Sequence, residues 1–148
     1  MRRIRIYKSV VILCVLFYIV LSFFPCVKIQ TWKYIAGEET CTVDYTNNLS
    51  ALMIIALILQ VALLFLNRRK LQLVFGIIGT LPGIILPLSV EVMRIVDDAI
   101  CIIGSHTERF VTSLGWIVTF IAWVLLVLDI LITGALKHYT AKTISATN

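Results

Sequence analysis

The chain has 148 residues, of which 60% are hydrophobic and 14% charged, with 13 lysines and arginines against 8 acidic residues and a mean hydropathy of +1.00. Soluble domains carry roughly 25% charged residues, so the composition excludes an ordinary water-soluble globular domain. The net charge of +5 is unevenly spread, and where it sits decides what it means.

Four apolar runs follow one another: Ser9 to Phe24, Leu49 to Leu66, Leu71 to Leu88 and Leu114 to Leu136. A helix needs about 20 mainly apolar residues to cross ~30 Å of hydrocarbon, within a range of about 17 to 25. With their flanks the runs predict transmembrane helices at about 9–25, 49–66, 71–90 and 114–136. The expected fold class is therefore an all-α membrane protein, a four-transmembrane-helix bundle forming one integral domain over residues 1–148. Arg2, Arg3 and Arg5 ahead of the first run also describe a secretory signal, but "SFFPC" at its end offers no small-x-small cleavage pattern. The first run is read as a retained helix.

Between the first two runs, residues 26–48 are predicted to lie outside the membrane. Val27 to Ile35 and Thr40 to Tyr45 are rich in β-branched and aromatic residues around "AGEE", the pattern of a hairpin with a four-residue turn. Pairing Ile35 with Thr40 puts Trp32, Tyr34, Cys41, Val43 and Tyr45 on one face and Thr31, Lys33, Thr42 and Asp44 on the other. The first face either caps the helices at the membrane interface or offers an external interaction surface. Asn48-Leu49-Ser50 matches a glycosylation sequon in form but abuts the second helix, which argues against its use.

In the second run, Gln60 lies six residues from the end at Leu66; in the fourth, Asp129 lies seven from the end at Leu136. At ~1.5 Å per residue both fall about 10 Å inside the same boundary, so Gln60 and Asp129 are expected to share an intramembrane polar layer. Polar groups at such depth are costly; the pair is read as a hydrogen-bonded fastener, with an ion or proton site as the alternative. The third run, "GIIGTLPGIILPLS", holds Gly76, Gly79 and Gly83 with Pro82 and Pro87. Small residues at this spacing allow close helix packing, and proline frees backbone carbonyls. Beyond it, Val92, Val96, Ala99 and Ile103 have helical spacing, with Glu91, Arg94 and Asp98 on another side. Residues 91–113 are thus expected to be a second external segment, starting as an extension of the third helix or as a separate surface helix.

The charges fix an orientation. Arg2, Arg3, Arg5, Lys8, Arg68, Arg69, Lys70, Lys137 and Lys142 fall at one boundary with no acidic residue among them. The other boundary has Lys28, Lys33, Arg94 and Arg109 against seven acidic residues. The positive-inside rule then predicts a plasma-membrane protein with cytoplasmic termini and a cytoplasmic 67–70 loop. The basic residues are accounted for by the anionic inner leaflet, and nucleic acid is not an expected partner.

Cys26, Cys41 and Cys101 are expected on the outer side and Cys14 within the first helix. A Cys26–Cys41 disulfide would close a loop worth about 3 kcal/mol in chain-entropy terms, although connectivity among the three external cysteines stays open. No C-x-x-C pair of the kind used by membrane thiol oxidoreductases occurs. Nor does a P-loop, an H-E-x-x-H or a dinucleotide-binding turn. His106 and His138 are predicted on opposite sides, so neither catalytic nor metal-binding nor cofactor-binding residues are expected.

Cytoplasmic termini, a β-rich and cysteine-bearing first external segment and a shorter second one resemble the four-helix group that includes the claudins. The claudin signature of tryptophan, G-L-W and two closely spaced cysteines is not present; Trp32 and Cys41 stand alone in this segment's version of it. The resemblance implies an architecture and carries over no functional residue. The functional expectation is a non-enzymatic accessory or structural subunit of a membrane assembly, contacting the lipid bilayer and a membrane-protein partner or further copies of itself. Two alternatives are a small channel or transporter subunit using Asp129, and a thiol-disulfide oxidoreductase using Cys26 and Cys41.

Overall fold

The computed structural model describes residues 2–35, 38–66, 68–99 and 105–145. Seven elements follow in order: α1 (Arg2–Ser22), β1 (Pro25–Ile35), β2 (Glu38–Asn47), α2 (Ala51–Phe65), α3 (Arg69–Ala99), β3 (Ser105–Val111) and α4 (Ser113–Ser145). The strands form one antiparallel sheet in the order β2-β1-β3. Connectivity places it at one end of the helices, where α1 and α3 finish and α2 and α4 begin. α3 is central, flanked by α2 and α4, while α1 lies chiefly on α4. Tyr18, Met53, Leu57, Val118, Ala122 and Leu125 fill the core between them.

This corrects the expected all-α, four-span bundle. The architecture is α+β, and among the described residues two helices are long and apolar enough to cross a membrane: α3, and α4 over Ser113–Ile132, with hydropathies of 2.1 and 2.4. The apolar stretches Ile6–Ser22 and Ala51–Phe65 are shorter. α2, with 15 residues, is about 22 Å long against ~30 Å of hydrocarbon. The flanks counted into these two runs have other uses. Ser50 is the N-cap of α2, in extended conformation with its hydroxyl accepting the Met53 N–H at 3.2 Å. Pro25, counted into the first helix, opens β1 instead.

α3 runs 31 residues through Pro82 and Pro87, well past the expected end at 90. Its extension includes Val92, Val96 and Ala99 of the stretch expected to be amphipathic, but Val92 and Val96 are exposed like the charged residues beside them, and Ile103 lies outside the described residues; Arg94 pairs with Glu91 at 2.9 Å. β3 was not anticipated at all. It pairs with β1 from Val27↔Val111 to Lys33↔Ser105. An ion pair between Arg109 Nε and Asp97 Oδ2, 2.6 Å long, ties it to α3.

The start of α4 is locked onto the α1–β1 junction. Thr112 is its N-cap: the Thr112 hydroxyl accepts the Gly115 N–H at 3.1 Å and donates to Pro25 O at 2.7 Å, while the Thr112 N–H donates to Cys26 O at 2.9 Å. A methyl group on Gly115 would overlap Cys26 O and lie 2.7 Å from Val111. Only glycine permits this approach, so the sheet and the helices are one packed body.

Candidate functional site

The most enclosed polar group lies among α2, α3 and α4. Gln60 Nε2 donates to Asp129 Oδ2 at 2.6 Å and Gln72 Nε2 donates to Asp129 Oδ1 at 3.3 Å. All three residues are buried, with Asp129 and Gln60 fully so. A carboxylate accepts at both oxygens, so Asp129 draws one amide from each neighbouring helix. Gln60 Oε1 is buried without a hydrogen-bond partner among the described residues. The sequence placed Gln60 and Asp129 at one depth; Gln72, the second residue of the third run, was not counted into that layer.

The three glycines of α3 determine how near the neighbours come. A methyl on Gly76 would overlap Asp129 Oδ2 and stand 3.0 Å from Gln60 Nε2, so Gly76 is what leaves room for the polar layer. One on Gly79 would meet Leu57 Cδ2 at 2.7 Å, and one on Gly83 would meet Tyr18 Oη at 2.5 Å. The Gly83 N–H donates to Tyr18 Oη at 3.0 Å. Tyr18 is thus the wedge by which α1 reaches α3, a role invisible in an uninterrupted apolar run. Thr80, also buried, returns its hydroxyl to Gly76 O at 2.8 Å.

The outer sheet is the second candidate. Trp32 faces Cys41, Gln30 faces Val43 and Lys28 faces Tyr45. The expected pairing of Ile35 with Thr40 is corrected to Ile35↔Glu38, so that Glu38 and Glu39 belong to β2; Ala36 and Gly37 of the turn lie outside the described residues. A shift of two residues preserves faces because strand side chains alternate with period two. Trp32, Tyr34, Cys41, Val43 and Tyr45 therefore share a face, joined by His106 and Phe110 of β3. Tyr34, Val43, Tyr45 and Phe110 are exposed. Trp32 stacks on His106 with ring centroids 5.8 Å apart. Tyr34 donates to Glu39 at 3.2 Å, and that bond with the carboxylate's charge pushes the Tyr34 phenol above its ordinary value. The opposite face turns inward: Arg109 reaches α3, and Val27, Ile29 and Val111 join the core.

The cysteines are not brought together. Cys26 and Cys41 are both unbonded, the first buried and the second exposed. Cys41 stands opposite Trp32, six residues along β1 from Cys26, or about 20 Å at ~3.3 Å per residue. The expected staple is therefore not formed. The Cys26 thiol donates to Phe24 O at 3.3 Å, and burial pushes it above its ordinary value. Cys101 lies outside the described residues. Asn48 Nδ2 is buried, which closes the sequon. Among the described residues no group of three or more His, Cys, Asp or Glu is placed to hold a metal ion.

No protein-family model matches this chain, and a search of curated proteins finds no match either.

Proposed function

We propose that the chain is a membrane-embedded, non-enzymatic accessory or structural subunit that works through protein–protein contacts at its outer sheet face. The observation that carries the reading is the distribution of exposed apolar groups. Leu13, Phe17, Ile55, Ile58, Leu81, Phe120, Trp123 and Leu131 all point outward from the four helices. Soluble monomers rarely expose apolar patches beyond a few hundred Å². Within the spanning windows of α3 and α4 only 33% and 39% of residues are buried, unlike the core helix of a soluble protein. The one-sided basic residues support a cytoplasmic position for the ends of the chain and an outer position for the sheet.

Aromatic residues on a sheet braced by the Arg109–Asp97 pair and the Thr112 cap make a rigid contact surface, the kind that supplies buried anchors at interfaces. The Gln60–Gln72–Asp129 layer favours a second reading, a small channel or transporter subunit. Its enclosure and its three-helix bonding support fastening over conduction. Co-purification in mild detergent separates the two. A stoichiometric protein partner that is lost on Tyr45→Ser and Val43→Ser supports the accessory role. A closed homo-oligomer that conducts ions in liposomes, and stops conducting on Asp129→Asn, contradicts it.

A further inference from the structure

β2 is the open edge of the sheet. In the order β2-β1-β3 the far strand β3 packs on α3, whereas β2 has β1 on one side and, among the described residues, no strand or helix running along the other. All ten residues from Glu38 to Asn47 are exposed. Alternate N–H and C=O groups of an edge strand face away from its partner and stay unpaired, and among the described residues no backbone bond from elsewhere reaches those of β2. Edges are ordinarily blunted by shortness, proline, lysine or a bulge. "EETCTVDYTN" contains neither proline nor lysine, and the ladder's one irregularity lies at its Pro25/Val27 end.

This edge is also acidic. Glu38, Glu39 and Asp44 stand on β2 without a lysine or arginine. Glu39 accepts from Tyr34, but among the described residues neither Glu38 nor Asp44 takes part in an ion pair. Alternation puts Glu38 and Asp44 on one face with Thr40 and Thr42, and Val43 and Tyr45 on the other. We infer that β2 takes up an extended, basic segment of a partner protein as a fourth strand, its cationic side chains beside Glu38 and Asp44 and its apolar ones beside Val43 and Tyr45. This rests on the accessory-subunit reading above and specifies what the partner offers. In strand addition the main chain supplies affinity and the alternating side chains supply specificity. A second copy of β2 does not fit the edge, because in any register it would bring three carboxylates to three with no cation between them.

The probe is a short, capped peptide of alternating lysine and valine, added to the full chain in a neutral detergent and followed by fluorescence anisotropy and amide exchange. The expected result is saturable binding that slows exchange in β2. The same peptide N-methylated at every residue keeps its charges but has no main-chain donor, and should not bind. Glu38→Gln and Asp44→Asn, both at exposed positions, should each weaken binding about threefold, the size of one exposed ion pair. The double variant Glu38→Lys, Asp44→Lys should instead prefer a glutamate–valine peptide. No saturable binding, equal binding of the N-methylated or the glutamate peptide to the unaltered chain, or unchanged exchange in β2 overturns the added strand. Each leaves the accessory role to its own test, the loss of a partner on Tyr45→Ser and Val43→Ser. A conducting homo-oligomer overturns the accessory reading and the added strand with it.

Discussion

Gly76→Ala isolates the contact on which the polar layer depends. The added methyl would overlap Asp129 Oδ2, sit 3.0 Å from Gln60 Nε2 and 3.2 Å from Gln60 Cδ. Both partners are fully buried, so neither can swing out into open space. Overpacking a filled interior costs roughly 1–3 kcal/mol, and parting Asp129 from its two amides adds about 0.6 kcal/mol for each interhelical bond. The expected loss is roughly 2–4 kcal/mol, read from SDS-induced unfolding in mixed micelles followed by tryptophan fluorescence. Asp129→Ala in the same chain removes the obstructing oxygen, so the double variant should recover ~1–3 kcal/mol relative to the sum of the singles. Gly134→Ala is the control, because a methyl there meets nothing within 4 Å and should change stability by no more than about 1 kcal/mol. A Gly76→Ala cost below roughly 0.5 kcal/mol, within the range of an ordinary surface change, or one unaltered by Asp129→Ala, would refute the reasoning.

Gly115→Ala, facing a backbone carbonyl instead of a movable side chain, should cost at least as much as Gly76→Ala and loosen the sheet; thermal unfolding and amide exchange in β1 check this. Arg109→Ala and Asp97→Ala break a pair whose side chains are 28% and 20% exposed, and a double-mutant cycle should return a coupling of about 1 kcal/mol or less. In single-cysteine variants a water-soluble maleimide should modify Cys41 at once and Cys26 only on unfolding; equal rates would contradict their placement. Because the Glu39 bond and charge hold the Tyr34 proton on, the phenolate forms at higher pH than it would alone. Glu39→Gln should move the Tyr34 absorbance transition to lower pH, and an unmoved transition would mean that the bond does not persist in solution.

Much of the helical part of the fold was legible because apolar runs are long and their polar interruptions few. Counting residues inward from the basic boundary was enough to put Gln60 and Asp129 in one layer. The limit of such counting shows at the run ends. Hydropathy gives Leu49 and Ser50 to α2, yet Ser50 caps the helix and shortens it to 15 residues. The hairpin faces survived an error in register because the error was an even number of residues. β3 was missed since "SHTERFV" is short and mixed in polarity, and it makes sense only as the third strand against β1. Tyr18 and Gln72 act across 65 and 57 residues, and Arg109 reaches Asp97 across 12. Long-range partners leave no local pattern, and the lone phenol of Tyr18 looks like any other aromatic in an oily helix. Chain proximity misled in the case of Cys26 and Cys41, because the antiparallel register carries them to different ends of the same ladder.

The central claim is that α3 and α4 lie in hydrocarbon while the sheet stands in water, and the chain's three tryptophans report on it directly. Trp116 and Trp123 are 57% and 50% exposed on α4 and about 10 Å apart along its axis, whereas Trp32 is stacked in the sheet. Single-tryptophan variants reconstituted into vesicles should be examined with phospholipids brominated at shallow and at deep acyl positions. The account predicts that Trp123 is quenched most by deep bromines, Trp116 by shallow ones and Trp32 by neither. Quenching that is absent from both helix tryptophans, or equal for all three, would contradict it.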